Sequence, residues 1–143
     1  MPDLKNKFRS SCMIASALDL IGDKWSLLIV RDMLLYQKKT FKEFVASDEK
    51  VATNLLSARL KMLESLKIIT KQKLSTNKKE NIYLLTEKGV ELAPLILELV
   101  QWSDKYVREY HDNMNTFEYH TDKQSLIAAT QNSYRKYAQQ VLQ

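Results

Sequence analysis

Apolar residues recur at helical spacing along most of the chain, and the stretches are separated by residues suited to start or stop helices. Between Cys12 and Ile21, Ile14, Leu18 and Ile21 follow an i, i+4, i+7 rhythm with Met13 and Ala17 alongside, which predicts a short helix burying one face. Gly22 ends it, and Asp23 is placed to cap a second helix over Lys24–Leu35, with Trp25, Leu28 and Ile29 on one side. Gln37–Lys39 is a solvated turn. Thr40-Phe41-Lys42-Glu43 has the form of a capping box, in which hydroxyl and carboxylate each satisfy an orphan N–H, and predicts a short third helix to about Ala46. The polar run Ser47–Lys50 breaks the pattern before a fourth helix over Ala52–Leu66.

The period then changes. Ile68–Leu74 and Ile82–Leu85 are β-prone runs joined by the charged segment 75–81, which predicts a two-stranded hairpin. Thr86 is the expected cap of one long helix from Glu87 to about Tyr110, with Leu92, Leu95, Ile96, Leu99, Trp102 and Tyr106 at helical spacing and Pro94 as a kink. His111–His120 is a polar linker. Thr121 and Gln124 offer a second capping box, opening a last helix to about Leu142 whose stripe is Leu126, Ile127, Thr130, Tyr134, Tyr137, Ala138 and Val141.

Only two Gly and two Pro in 143 residues exclude an all-β fold built on tight turns, and the length suits one domain. The expected class is mainly α (α+β), organised as a polar arm (1–11), a central unit (12–110), and a linker with a C-terminal helix (111–143). The net charge of +5 is unevenly spread: Lys24–Lys79 holds 13 Lys+Arg against 5 Asp+Glu. A basic centre between near-neutral or acidic ends suits a polyanion-binding surface. The first residues lack a secretory apolar run and no stretch approaches a membrane span, so a cytoplasmic protein without a membrane partner is expected. The lone Cys12 agrees with a reducing compartment.

Two consecutive helices with a short break, followed directly by a basic hairpin, form the plan of a helix-turn-helix with a wing. Projection of the fourth helix at 100° per residue places Leu55, Leu56, Leu60, Met62, Leu63 and Leu66 on one arc and small polar residues on the other. The polar arc can approach base edges: Asn54 can pair with adenine, Thr53 and Ser57 can reach phosphates or bases, and Lys61 suits a phosphate or a guanine. A solvated face is the plain alternative. Thr40 and Lys42 at the start of the third helix are backbone-contact candidates, and Lys71, Lys73, Lys78 and Lys79 on the hairpin suit phosphate or minor-groove contact. Arg59 projects into the apolar arc, so its guanidinium serves either an internal carboxylate or a phosphate.

These residues resemble the HxlR-type regulators, relatives of the MarR-like winged helices. The resemblance begins at Cys12 and runs through Leu18-Asp19-Leu20-Ile21-Gly22-Asp23-Lys24-Trp25, Leu27-Leu28-Ile29-Val30-Arg31-Asp32 and Phe41-Lys42-Glu43-Phe44. It continues through Leu56-Ser57-Ala58-Arg59-Leu60, Leu63-Glu64, Tyr83-Leu84-Leu85-Thr86-Glu87-Lys88-Gly89 and Leu92-Ala93-Pro94 to Trp102. It implies a winged helix-turn-helix with long dimerisation helices. It also implies an obligate homodimer, held mainly by the first helix and the long helix after the wing, that acts as a repressor on double-stranded DNA at a pseudo-palindromic operator. The chain departs from the family at Met13, where Pro is frequent, at Ala52, where Ser is frequent, and at Leu66-Lys67, where Asp-Gly is common; its wing has no Pro. Ala52 is a poor cap, so Thr53 is expected to take over that role.

Cys12 has two readings: a small hydrophobe packed at the dimer interface, or a redox or electrophile sensor, as the resemblance implies for some members, with Arg9 close enough in sequence to favour the thiolate. Trp25 and Trp102, with Tyr106 and Tyr110, either line a pocket for a small-molecule effector or pack the core. His111 and His120 lack the spacing of a helical metal site, and no phosphate loop, nucleophile elbow or dinucleotide fingerprint occurs, so no metal, cofactor or enzyme is expected. The alternative to a DNA-binding regulator is a winged-helix protein-interaction module. The C-terminal helix, Asp122–Leu142, would serve it as a partner stripe, whereas docking on its own dimer is the simpler use.

Overall fold

The computed structural model describes Leu4 and residues 7–143, so part of the N-terminal arm lies outside the described residues. Among the described residues, seven α-helices and one hairpin follow in the order α1 (Met13–Ile21), α2 (Ser26–Tyr36), α3 (Phe41–Val45), α4 (Thr53–Ser65), β1 (Ile69–Leu74), β2 (Asn77–Leu85), α5 (Glu87–Val90), α6 (Ala93–Tyr106) and α7 (Lys123–Leu142). A 3-10 turn, Arg108–Tyr110, follows α6.

The core forms where α2, α4 and the base of the hairpin meet. Val30 and Met33 of α2, Leu56 and Leu63 of α4 and Ile69 of β1 are all but inaccessible to solvent. The second helix begins at Ser26 rather than Lys24, with Trp25 in the cap position, and Asp23 supports that start from two residues earlier: its carboxylate accepts the backbone N–H groups of Trp25 and Ser26 at 3.0 Å and the Ser26 hydroxyl at 2.5 Å. The Thr40 capping box is present in full, with the hydroxyl accepting from the Glu43 N–H and the Glu43 carboxylate accepting from the Thr40 N–H.

Other expectations about the elements also need correction. The hairpin turn is only Ser75-Thr76, and β2 begins at Asn77 rather than Ile82. Main-chain pairing continues there beneath exposed polar side chains that carry no apolar alternation, with a register shift between Lys73 and Leu74. The helix expected from Glu87 to Tyr110 is broken at Glu91–Leu92, because Pro94 has no N–H to donate and its ring excludes the carbonyl four residues back; Pro94 therefore sits in the first turn of a new helix. Asp122, not Thr121, caps α7, accepting from the Ser125 N–H at 2.9 Å. Finally, α1 buries no residue: Met13, Ile14 and Leu18 leave its apolar face uncovered.

The last helix packs against its own protomer, beside α2 and α6. Tyr134 is 1% exposed within the main core, and burial pushes its phenol up to about 12 against the opposing effect of the Leu85 N–H. Of the predicted stripe, Tyr134 is buried and Tyr137 and Ala138 pack against the core, whereas Leu126, Ile127, Thr130 and Val141 stay partly exposed.

Candidate nucleic-acid interface

The elements that carry the basic residues are held together by a polar network beneath them. Asp32, buried near the end of α2, accepts the Ser47 hydroxyl at 2.5 Å and lies 2.7 Å from Arg31 and 3.8 Å from Lys38. Lys38 also donates to the Ser47 hydroxyl at 2.7 Å, and Arg31 reaches across to Glu49 with two bonds of 2.8 and 2.9 Å. Ser47 and Glu49 belong to the turn between α3 and α4, so α2 fixes the angle at which the fourth helix leaves that turn. Glu49 is held at about 2, chiefly by the hydrogen bonds from Arg31, which outweigh its partial burial.

On this base α4 presents Thr53, Asn54 and Lys61 to solvent and Ser57 half-buried, while Leu56, Leu60 and Leu63 face the core. Leu55, expected on the apolar arc, is 38% exposed beside them. Ala52 occupies the cap position without a side-chain bond and Thr53 is the first helical residue, so Thr53 does not take over the cap. Its hydroxyl is left out of the helix start.

Lys42 on α3 and Lys79 on the wing are exposed and line one concavity, floored by Phe41, Val45 and Tyr83. Lys71 and Lys73 stand on β1, opposite Tyr83 and Asn81, and Lys78 lies in the irregular stretch of β2. Fold and sequence thus bring the lysines of α3, of α4 and of the wing to exposed positions. Thr40 differs, since it is 8% exposed and its hydroxyl both accepts from and donates to Glu43.

Arg59 faces the internal carboxylate. Its Nε lies 3.5 Å from Asp23 Oδ2, buried and without a hydrogen bond of its own. Burial pushes the Asp23 carboxyl up, but the bonds from Ser26 and Trp25, with the Arg59 charge, bring it below the usual carboxylate range. The anomalous projection of an arginine into an apolar arc was the sequence signal for this contact.

Cys12 is exposed at the cap of α1, and its N–H donates to the Ser10 hydroxyl at 3.2 Å. Arg9 spends its guanidinium on Asp19 at 2.5 Å, so the expected support for the thiolate is engaged elsewhere. Trp25 and Trp102 do not share a pocket. Trp25 is half-buried beside Phe44 and Leu56, whereas Trp102 is 59% exposed against Tyr106. A cleft of about 290 Å³ between α2 and α6 is lined by Leu28, Leu35, Ile96, Leu99 and Phe117, and by neither tryptophan. Among the described residues no cluster of three metal-ligating side chains occurs, and no helix is long and apolar enough to cross a membrane.

Two helices at a turn, the second with a polar outer face, and a basic hairpin beside it define a winged helix-turn-helix regulator. The HxlR-like helix-turn-helix model matches residues 20–111, and the chain belongs to that family. It is similar to the HTH-type transcriptional regulator YodB of Bacillus subtilis, 35% identical over 91 residues, which cover 64% of this chain and 80% of YodB. The structure of reduced YodB superposes with a TM-score of 0.57 at 34% identity, over 68% of this chain and 95% of that one; YodB has also been solved diamide-treated and quinone-bound. The HTH-type regulator MT3179 of Mycobacterium tuberculosis is 32% identical over 73% of this chain, which spans only 65% of that relative. The redox regulator HypR, in its oxidised form, superposes with a TM-score of 0.59 at 27% identity over 73% of this chain and all of HypR. Family and relatives are transcriptional regulators, and this chain is a regulator of that kind rather than an enzyme.

Proposed function

We propose that the protein is a homodimeric, sequence-specific DNA-binding regulator, acting as a repressor on a pseudo-palindromic operator in the cytoplasm. The observation that carries this reading is the exposed polar face of α4, with Thr53, Asn54 and Lys61 beside the lysines of the wing. In this fold the second helix of the pair enters the major groove, and the wing reaches adjacent phosphates. Thr53, Asn54, Ser57 and Lys61 read base edges; Lys42, Lys71, Lys73, Lys78 and Lys79 supply phosphate contacts; Thr40 and Arg59 act from beneath by fixing α3 and α4.

Dimerisation is supported by the apolar face of α1 and by Leu95, Leu99, Trp102 and Tyr106 of α6, which are 43–59% exposed at coiled-coil-like spacing. A second copy covering these faces would remove a patch that monomers rarely expose.

An oxidant or electrophile is the proposed effector, acting at Cys12. The exposed thiol supports this, as do YodB structures named as diamide-treated and quinone-bound and a HypR structure named as a redox regulator's oxidised form.

Fluorescence anisotropy on DNA from upstream of the protein's own gene, against scrambled DNA at several salt concentrations, tests the reading. Preferential binding that weakens steeply with salt is expected. The double variant Lys78→Glu, Lys79→Glu removes four lysines from the dimer and should weaken binding and lower the salt slope by about four. Equal, weak binding to both DNAs, unchanged in the variant, would instead favour a protein-interaction module. Diamide should release DNA from the wild type and not from Cys12→Ser.

A further inference from the structure

Residues 123–142 lie outside the stretch matched by the family model, yet α7 completes the unit that carries the proposed DNA-binding residues. The Tyr134 hydroxyl accepts the backbone N–H of Leu85, the last residue of β2, at 2.9 Å. One turn further on, the Tyr137 hydroxyl donates to the carbonyl of Gln37, in the turn between α2 and α3, at 2.9 Å. Those two anchor regions are joined to each other as well, since the Tyr83 N–H donates to the Lys39 carbonyl at 2.7 Å. Gln131 donates to the Val90 carbonyl at 3.3 Å, and Arg135 pairs with Glu87, so α7 is also tied to the segment that leaves the wing.

The base of the wing, the entry to the helix-turn-helix and α7 thus form a closed set of contacts. The wing is a lever on that base. Lys79 lies six residues from Leu85, about 20 Å along an extended strand, so a tilt of about 10° at the base moves Lys79 by about 3–4 Å. That displacement is enough to make or lose a phosphate contact.

We propose that α7 is a positioning element for DNA reading: Tyr134 and Tyr137 hold the wing base against the α2–α3 turn and set the placement of the wing lysines relative to α4. The inference concerns the site read above as DNA-binding and rests on that reading for its DNA measurement.

The test uses the full chain with Tyr134→Phe, Tyr137→Phe and the double variant. Tyr137 is only half-buried, so Tyr137→Phe removes a hydrogen bond while leaving the ring in place. Amide exchange of Ile69–Leu85 and of 38–40 should quicken by about tenfold in the double variant while α4 keeps its protection. On DNA selected by the wild type from a random-sequence pool, the slope of log affinity against log salt should fall by about two to four as wing phosphate contacts are lost. Unchanged wing exchange and an unchanged salt slope, even with a lowered melting temperature, would overturn the proposal and leave α7 as a stabilising helix only. If the wild type selects no DNA, the DNA-binding reading fails, and the exchange measurement still decides whether α7 holds the wing.

Discussion

Arg31 meets Asp32 and Glu49 at once, and its bonds to Glu49 make one contribution to stability depend on acid. Glu49 titrates at about 2 in the fold, against 4.5 for a free side chain, so its contribution is complete above pH 4.5 and fades as pH falls towards 2. Subtracting the stability of Glu49→Gln from that of the wild type, measured by denaturant at stepped pH, should give a difference that shrinks across this interval and is flat above it. Lys67 is a second informative residue. The Ile68 N–H donates to the Leu63 carbonyl and the Lys67 N–H to the Glu64 carbonyl, both at 2.9 Å, which is a Schellman ending with Lys67 at φ 61°. Glycine is the usual occupant, so Lys67→Gly should raise stability by about 1 kcal/mol, read as a higher denaturant midpoint. Gly89 is the reverse case: a Cβ there would lie 2.4 Å from the Ile68 carbonyl oxygen, and Gly89→Ala should cost about 1–3 kcal/mol in the same assay.

At the scale of elements, α2, α3 and α4 were legible because their periodicity and, for α2 and α3, their start signals are local, whereas the expected Thr53 cap of α4 did not form. Asp23 and the Thr40–Glu43 box act within three residues, and the apolar side of α4 buries three leucines as the projection required. What the sequence hid depends on partners distant in the chain. Residues 77–81 of β2 have no apolar alternation, since both their faces are wet, and only pairing with β1 makes them a strand. The dual role of Tyr134, core ring and acceptor for Leu85, spans 49 residues and has no signature in either segment. The exposed placement of the candidate residues on α3, α4 and the wing was legible, whereas the network of Asp32, Lys38 and Ser47 beneath them was not. Asn54→Ala should therefore act differently from a wing substitution. It should reduce discrimination between operator and scrambled DNA by about 1–3 kcal/mol while leaving the salt slope unchanged.

At the scale of the molecule, the uncovered faces of α1 and α6 make oligomeric state the first property to measure. Leu99 is 48% exposed, so Leu99→Glu should leave each protomer folded and shift sedimentation from dimer towards monomer, with DNA affinity falling as the two reading helices lose their fixed spacing. The turns after α2, before α4 and after α4 share one feature: Gln37, Lys50 and Lys67 all adopt left-handed backbone, and none is glycine. Each such position strains a side-chain-bearing residue by about 1–2 kcal/mol, and all three flank α2 or α4. The molecule therefore keeps part of its attainable robustness unclaimed. Single substitutions in these turns can offset damage elsewhere in the core, which gives the lineage room to alter the exposed residues of α4 and the wing before folding becomes the limit.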